Sequence, residues 1–290
     1  MTTRAGSGPS IPMAAESRPA PAPDAMAPLD TGPLIEIRDG SLLVVIAPQA
    51  GGRIAQIRRQ GVDHLVGHGE STAAVIAWGS FPMVPWAGRI REGHFGFQGR
   101  SYQLLRNLGS HAIHGVGFAM PWSVTRQEAA VVELALSLPQ DESWPFGGSA
   151  QQRLAVTADR LEMTLSVRAG RLPMPAVIGW HPWFRKPDRM SFSPAHMFPR
   201  DEQGIATLPL QDPLPGPWDD CFINHDPVLL ELSGQQLRLS SDCQHWVVYD
   251  ATAAATCIEP QSGPPDAFNL TPATLEPGTA IERKFLVEWL

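Results

Sequence analysis

The sequence predicts an all-β protein with many short antiparallel strands. Beyond residue 33, short apolar runs such as SLLVVIAP, RLEMTLSV and HWVVYD recur between turn residues. Helical periodicity over about eleven or more residues is hard to find. The 29 prolines and 26 glycines would interrupt such a pattern. These observations favour a large antiparallel sandwich or barrel-like architecture.

The strand candidates follow one another along the chain. LIEIRDG, SLLVVIAP, GRIAQIRRQG and VDHLVG come first, and HFGFQG with RSYQLL predicts a hairpin that turns at Gln98-Gly99. WSVTRQEAAVVELALSLP holds two more strands, and RLAVTADRLEMTLSVRAG holds a pair around an Asp-Arg turn. The last third adds PVLLELSG, QQLRLSSD, HWVVYD, TCIEPQ and AIERKFLVEWL.

The chain divides into a terminal segment and one domain. Residues 1–33 are rich in Ala, Pro, Ser and Gly and poor in large apolar side chains, which predicts a disordered tail. This segment has no apolar core of the kind that a signal peptide requires. Residues 34–290 contain no linker and no internal repeat, so we expect one domain there.

Composition excludes several classes of partner. The net charge of −7 disfavours a nucleic-acid binder, which normally carries a basic patch. No apolar stretch is long enough to span a membrane. Cys221, Cys243 and Cys257 fit neither a disulfide framework nor a CxxC zinc site. We therefore interpret them as reduced thiols and expect a cytoplasmic protein.

Five of the nine tryptophans adjoin a proline, in VPWAG, MPWSV, SWPFG, HPWFR and GPWDD. Rigid aromatic faces beside polar groups suit carbohydrate, whose C–H surfaces stack on rings. Large aromatic residues are also mostly buried, so capping of the sandwich core is an equally good interpretation for each one.

Five polar stretches interrupt the strand pattern, and they carry the candidate functional residues. They are PWAGRIREG with Arg89, HAIHG with His111 and His114, GWHPWF with His181, PWDDCF with Asp219 and Asp220, and CIEPQSGPPDAFN with Glu259. Each alone has a structural alternative, such as a buried neutral histidine, a surface ion pair or a turn cap.

The motifs do not favour a metal or a serine nucleophile. HAIHG has Ala112 where a HExxH zinc motif has glutamate. There is no GxSxG, and Ser262 adjoins a proline-rich turn instead of a strand-to-helix elbow. We expect neither a metal nor an organic cofactor.

Taken together and in order, these stretches resemble the aldose 1-epimerases, or galactose mutarotases. The resemblance runs from Leu34 to the C-terminus, and its carriers are FPMVPWAGRIREGHFGFQGRSYQL, NLGSHAIHGVGFAMPW, GWHPWF, WDDCF and CIEPQSGPPDAFN. It implies an antiparallel β-supersandwich of the galactose mutarotase type, with a sugar bound in a cleft on one sheet.

The resemblance assigns the catalytic roles. Glu259 matches the general base of the family, and His181 of the His-Pro-Trp-Phe motif matches the general acid. His114, the second histidine of HAIHG, matches a histidine that binds the sugar and assists catalysis, whereas His111 is expected to be structural.

The resemblance also implies the sugar-binding residues. Asp219 matches an aspartate that holds hydroxyls, and Arg89 matches a substrate-binding arginine. Apart from the resemblance, we expect Trp183 of HPWFR, one of the proline-adjacent tryptophans, to bind the substrate as well. Gly88 replaces the usual asparagine and Val116 replaces the second glycine of a His-Gly-Gly motif. These departures affect the expected substrate more than the expected chemistry.

Mutarotation needs one acid and one base near the ring oxygen. Opening the hemiacetal removes a proton from O1 and delivers one to O5, and reclosure reverses both transfers. We expect Glu259 to be ionised at pH 7, and His181 can carry a proton if the cleft or a nearby carboxylate raises its pKa.

Three rival functions remain open at this point. A hexose-6-phosphate 1-epimerase would need a cationic pocket, with candidates Arg53, Arg91, Arg106 and Arg185. A non-catalytic sugar-binding module would not need the pair His181 and Glu259. A glycoside hydrolase would use two carboxylates, such as Asp219 and Glu259. The preferred aldose and the oligomeric state are not predicted.

Overall fold

Two large antiparallel sheets make up most of the protein. The computed structural model describes residues 24–70 and 72–290. Regular helix in this part is confined to α1 (Ala267–Leu270) and two 3-10 turns, Arg91–Gly93 and Gly117–Ala119. The predicted all-β class is therefore confirmed.

The described residues form 24 strands, all in antiparallel ladders. In chain order they are β1 (Ile35–Asp39), β2 (Leu42–Ala47), β3 (Arg53–Arg59), β4 (Val62–Asp63), β5 (Ser80–Met83), β6 (Arg89–Ile90), β7 (His94–Phe97), β8 (Arg100–Gln103), β9 (Ala112–Ile113), β10 (Ser123–Gln127), β11 (Val131–Ser137), β12 (Ser149–Thr157), β13 (Arg160–Arg168), β14 (Met174–Pro175), β15 (Gly179–Arg185), β16 (Arg189–Ser191), β17 (His196–Met197), β18 (Asp219–Ile223), β19 (Val228–Leu232), β20 (Gln235–Ser241), β21 (His245–Tyr249), β22 (Ala255–Gln261), β23 (Thr274–Leu275) and β24 (Ala280–Trp289).

The strand order differs between the two sheets. The first sheet has ten strands in the order β1-β2-β3-β5-β15-β22-β21-β18-β17, with β4 on β3. The second sheet has eight strands in the order β10-β11-β12-β13-β24-β20-β19-β16. Three two-stranded ribbons complete the fold: β6 with β9, β7 with β8, and β14 with β23.

The main core lies between the two sheets. Buried and less buried residues alternate along β13, as expected for a strand with one face on the core. Phe285 on the second sheet packs against Trp180 and Trp246 of the first sheet, with ring centroids 5.9 and 6.1 Å apart. The indole N–H of Trp180 donates to the Gln152 side chain at 3.2 Å, so the buried donor is satisfied.

Strands β15 and β22, in the middle of the first sheet, are buried on both faces. Every residue of β22 is buried, and five of the seven residues of β15 are buried. One face lies on the core, where Trp180 and Ile258 are found. The opposite face lies under loops and ribbons, and it carries His181 and Glu259.

The two hairpin predictions differ in accuracy. The turn between β7 and β8 is Gln98-Gly99 as predicted, with φ values of 47° and 74°. The turn between β12 and β13 is Ala158-Asp159, because Thr157 already pairs with Arg160. The predicted Asp-Arg turn is therefore one residue too late.

The predicted boundary at residue 34 needs correction. Residues 1–23 of the predicted tail lie outside the described residues. Ala25, however, is fully buried, and its N–H donates to the carbonyl of Asn107 at 2.8 Å. Pro28 forms an isolated bridge with Ala74. The ordered part thus includes residues 24–33, since backbone pairing can secure a segment whose composition supplies little apolar surface.

Within the described residues, no helix combines the length and the apolar character needed to cross a bilayer.

The three cysteines, Cys221, Cys243 and Cys257, are buried and form no disulfide, as expected for reduced thiols.

Candidate active site

The strand register brings the expected acid and base together. Gly179 pairs with Gln261 and Trp183 with Cys257, and this register sets His181 opposite Glu259. On its other side His181 pairs with Phe81 of β5. The side chains of His181 and Glu259 therefore point to the same face of the sheet, away from the core.

A cavity of about 350 Å³ lies over this face. All six residues expected to catalyse or bind line it, and so the structure brings them to one place: Arg89, His114, His181, Trp183, Asp219 and Glu259. The remaining lining residues are Met26, Ile76, Ala77, Gly88, Leu108, Ile113, Val247, Tyr249, Gln261 and Pro265. Its size and its mixed apolar and polar lining suit a small molecule.

His181 and Glu259 form a close, buried pair. Nε2 of His181 lies 3.2 Å from Oε1 of Glu259, and the residues are 5% and 2% exposed. Burial lowers the pKa of His181 to about 3. Burial, and then the charge of Asp219, raises the pKa of Glu259 well above its usual value. The condition for a protonated His181, a raised pKa, is therefore not met in the free site, because burial and the charges of Arg53 and Arg89 lower its pKa.

His114 is held beside His181 by an unusual backbone conformation. Its φ is +60°, a left-handed value that few side chains adopt. Its N–H donates to the Gly88 carbonyl at 3.1 Å, and its ring meets the His181 ring edge to face at 4.9 Å. Within residues 24–70 and 72–290, nothing forms a hydrogen bond with Nδ1 of His114 or Nδ1 of His181, and both atoms are buried. Such unsatisfied buried atoms are uncommon in folded proteins.

Aromatic rings fix the orientation of the His181 imidazole. The ring stacks on Phe81 with centroids 4.7 Å apart and on Trp183 with centroids 5.4 Å apart. The indole N–H of Trp183 donates to the carbonyl of Ile76 at 2.8 Å. Trp183 therefore offers the cavity an aromatic face instead of a free donor.

Asp219 lies at the rim of the cavity between two arginines. Nη1 of Arg200 is 3.0 Å from its Oδ2, and Nη2 of Arg89 is 4.0 Å from the same oxygen. Nε of Arg200 also lies 2.7 Å from Oδ1 of Asp220. Burial raises the pKa of Asp219, whereas Arg89 and Arg200 lower it. Arg200 thus anchors both carboxylates of the Asp-Asp pair.

The two departures from the family pattern have different surroundings. Gly88 has φ +70°, and a Cβ there would approach Pro265 to about 2.9 Å. An asparagine at this position would require Pro265 to move. Val116, by contrast, is partly buried and packs on the main core. Only Gly88 borders the cavity.

The expected structural role of His111 agrees with its contacts. Its Nδ1 accepts a hydrogen bond from the backbone N–H of Glu92 at 3.1 Å, and the residue does not line the cavity. HAIHG therefore supplies one histidine to the cavity and one to the support of the adjoining turn.

The arginines considered for phosphate binding lie elsewhere. Arg53 is fully buried and donates to four backbone carbonyls. Arg91 pairs with Asp201 and Arg185 with Glu70, while Arg106 is exposed away from the cavity. Among the described residues that line the cavity, Arg89 is the only arginine or lysine.

Three of the proline-adjacent tryptophans belong to the core. Trp86, Trp122 and Trp144 are at most 3% exposed. Trp183 lines the cavity, and Trp218 is partly buried against Phe222 without lining it. The carbohydrate-stacking interpretation therefore fits Trp183 alone.

One set of donor atoms has the spacing of a metal site. Atoms of His181, Cys257 and Glu259 lie within 4.8 Å of one another. The set does not include HAIHG. Burial raises the pKa of the Cys257 thiol well above its usual value, which opposes the thiolate that a metal binds. Two of the three donors, His181 and Glu259, also form the buried pair expected to act as acid and base, so a metal would compete with that pair.

Sequence reasoning missed Phe81, Arg200, Tyr249 and Met26. Phe81 opens the FPMVPWAG stretch and could have been found by its nearness to Arg89 in the motif. Tyr249 pairs with Asp219 and also pairs with Cys257, so it follows from the register. Arg200 and Met26 carry no motif: a loop brings Met26 to the cavity, and Arg200 acts only through its contacts with Asp219 and Asp220.

The chain belongs to the aldose 1-epimerase family, whose sequence model matches residues 33–287. It is 32% identical over 148 residues to the uncharacterized protein YphB of Escherichia coli (strain K12), and this match covers 50% of the chain and 49% of YphB. The chain thus spans about half the length of the curated relatives it matches.

Solved structures show the same fold. A GalM/aldose epimerase homologue from C. elegans has a TM-score of 0.78 at 16% identity, over 89% of this chain and 98% of that chain. A galactose mutarotase-like protein from Clostridium acetobutylicum has a TM-score of 0.79 at 17% identity, over 89% and 95%. At such identities the likeness concerns the fold alone.

Proposed function

We propose that the protein is an aldose 1-epimerase that interconverts the α and β anomers of an uncharged aldose. The observation that carries this proposal is the buried pair of His181 and Glu259 on the floor of the cavity. Family membership supports the reaction type. The three free, buried cysteines support a reducing compartment such as the cytoplasm.

Ring opening needs one proton to leave O1 and another to reach O5. The Glu259 carboxylate takes the O1 proton, the O1–H electrons form the C1=O1 bond, and the C1–O5 bond breaks. The O5 oxygen receives its proton from the His181 imidazolium. After rotation about C1–C2, O5 attacks the other face of C1 and both protons return. The chemistry requires no metal or organic cofactor.

The pKa directions decide where the proton of the pair rests. Burial lowers the pKa of His181 and raises the pKa of Glu259, so the free site favours a neutral imidazole and a protonated carboxyl. The reacting form therefore requires the proton to pass from Glu259 to Nε2 of His181 across 3.2 Å, and the imidazolium and carboxylate formed in this way are a strong acid and a strong base. Both transfers lead to neutral groups, the form that a desolvated site favours. The pair holds one proton before ring opening and one proton after it.

The remaining residues orient the sugar. Asp219 can accept hydrogen bonds from two hydroxyls, Arg89 can donate to oxygens, and His114 has a free buried nitrogen. The face of Trp183 can stack on the C–H surface of the ring. Mutating a binding residue should therefore raise KM more than it lowers kcat.

Two rival functions fit the site less well. A hexose 6-phosphate needs cations, but the lining carries Asp219 and Glu259 against one arginine, Arg89. A sugar-binding module does not need a buried carboxyl beside a buried imidazole, and that arrangement is costly to desolvate. These features favour an enzyme acting on an uncharged sugar.

Polarimetry tests the proposal. Freshly dissolved α-D-galactose and α-D-glucose should reach equilibrium rotation faster with the protein than without it, in weak buffer. The acceleration should disappear in Glu259→Gln, whose side chain has a similar volume but no basic oxygen of that strength. No acceleration of any aldose by the folded protein would contradict the proposal.

A further inference from the structure

Residues 24–29, which we call the strap, form part of the cavity wall. The Met26 side chain lines the cavity and remains 57% exposed, although large apolar side chains usually avoid water. Composition predicts no role for this segment. Its position beside the acid–base pair gives it one.

Backbone hydrogen bonds hold the strap in place. The N–H of Ala25 donates to the Asn107 carbonyl at 2.8 Å, and the Ala25 carbonyl accepts from the N–H of Ile76 at 3.1 Å. The Ala27 carbonyl accepts from the N–H of Val75 at 2.8 Å. Met26 therefore lies between two residues that are held by hydrogen bonds. Its side chain is exposed although the backbone on both sides is fixed.

The partner loop is itself fixed. The buried guanidinium of Arg53 donates to the carbonyls of Val75 at 2.8 Å and Trp78 at 3.0 Å. The Ile76 carbonyl accepts from the indole N–H of Trp183 at 2.8 Å. Thus Met26 shares one apolar wall with Ile76, and this wall adjoins the tryptophan that stacks on the catalytic imidazole.

Charge is distributed unevenly around the cavity. The charged lining groups are Arg89, Asp219 and Glu259, whereas the strap and the loop that it pairs with contribute the apolar side chains of Met26, Ile76 and Ala77. A sugar held by its hydroxyls at Asp219 would place another part of its surface against this apolar side.

We propose that Met26 is a specificity-determining residue that contacts the bound aldose and favours an uncharged sugar over a phosphorylated one. The inference rests on the proposed function. Its physical basis is simple: a thioether side chain can pack on C–H groups, but it offers a phosphate no hydrogen-bond donor and no positive charge.

Full-length variants test this role. Met26→Ala removes the contact, Met26→Lys replaces it with a cation of similar length, and Leu34→Ala is the control, because Leu34 is 50% exposed and lies outside the cavity. Mutarotation of galactose and of galactose 6-phosphate gives kcat and KM. Calorimetric titration with each sugar gives Kd without turnover.

We expect Met26→Ala to lower kcat/KM for galactose by about tenfold, mainly through KM, as for loss of one apolar contact in a pocket. We expect Met26→Lys to shift the ratio of kcat/KM values by about tenfold or more toward the 6-phosphate. Leu34→Ala should match the wild-type protein.

If the wild-type protein turns over galactose and both Met26 variants have the same kcat and KM values as the wild-type protein, the inference is overturned and the proposed function stands. Absence of turnover in the folded wild-type protein would contradict the proposed function instead. In that case the Kd values decide whether Met26 contacts the sugar. A larger Kd in Met26→Ala than in the wild-type protein supports the contact, and an equal Kd overturns it.

Discussion

His181 lies across from Glu259 on neighbouring strands, with Nε2 3.2 Å from Oε1, and both side chains face the cavity. Two regular strands hold them, so the sheet register and not a mobile loop sets the distance. Such placement suits a reaction that needs an acid and a base around one C–O bond.

The first prediction concerns the acid. His181→Asn should lower kcat by about 10²- to 10⁴-fold, the usual size of one acid–base contribution. The double variant with Glu259→Gln should lose little more than the worse single variant, because the two groups act as a unit. Measured kcat values for the three variants check this prediction. If the fold-loss in kcat of the double variant equals the product of the two single fold-losses, the two groups do not act as a unit.

The second prediction concerns pH and stability. Because the pKa of Glu259 is raised in the folded protein, the folded state binds a proton more tightly than the unfolded state. Its contribution to stability is therefore lost as pH rises above the usual carboxyl range. Glu259→Gln should become increasingly more stable than the wild-type protein from about pH 5 to about pH 8.

Urea unfolding of both proteins at the two pH values measures that difference. The matched control is Glu128→Gln, since Glu128 is exposed in the turn between β10 and β11. If the free energies of unfolding of Glu259→Gln and the wild-type protein differ by the same amount at both pH values, the raised pKa of Glu259 is contradicted.

The third prediction concerns Arg200. It holds Asp219 and Asp220 at 3.0 and 2.7 Å, so Arg200→Met should leave Asp219 poorly oriented toward the sugar. We expect KM to rise about tenfold while kcat changes less, which corresponds to ~1.4 kcal/mol of binding. Steady-state kinetics check the split.

The control for that variant is Arg189→Met. Arg189 is exposed and pairs with Glu231 on the second sheet, far from the lining of the cavity. Its KM should equal that of the wild-type protein. Equal KM values in both variants would remove Arg200 from substrate positioning.

The fourth prediction concerns the buried Arg53. Arg53→Met would leave buried carbonyl groups of Ala50, Val75, Trp78 and Phe118 without their donor. We expect the free energy of unfolding to fall by about 3 kcal/mol or more. Arg58→Met, which removes an exposed pair with Asp63, should cost about 1 kcal/mol or less.

Chemical denaturation of the two variants compares these losses. An Arg53→Met protein as stable as Arg58→Met would show that water or rearranged side chains satisfy the carbonyls. The expected loss would also displace the loop that holds the strap, so galactose KM should rise along with the loss of stability.

Period-two patterns and turn residues were enough to predict many of the strands, but not β5, β15 and β18. The GWHPWF and PWDDCF stretches were interpreted as interruptions of the strand pattern, because β15 and β18 are buried over several consecutive residues and lack the alternation of a half-exposed strand. The alternation along β13 and the Gln98-Gly99 turn depend on local chemistry, which the sequence carries directly. The order of the sheets depends on contacts between distant segments, such as β13 with β24, and no local pattern encodes it. The segment at 24–29 was misjudged for the same reason, because its partners lie in later loops.

The site was predictable where residues follow motifs. His114, His181 and Glu259 stand in short motifs of the family, and the structure brings them to one cavity. The pKa directions could not be predicted, because they depend on how deeply the fold buries the pair. Arg200 could not be predicted either, since its salt bridges join the start of β18 to a loop that follows β17.

The central claim is that the pair of His181 and Glu259 interconverts anomers. The most direct measurement is NMR magnetisation transfer between the α and β anomeric protons of galactose at equilibrium, with wild-type protein, Glu259→Gln and His181→Asn. We predict rapid exchange with the wild-type protein and exchange at the uncatalysed rate with Glu259→Gln, while both variants remain folded. Wild-type rates in the Glu259→Gln sample would contradict the account.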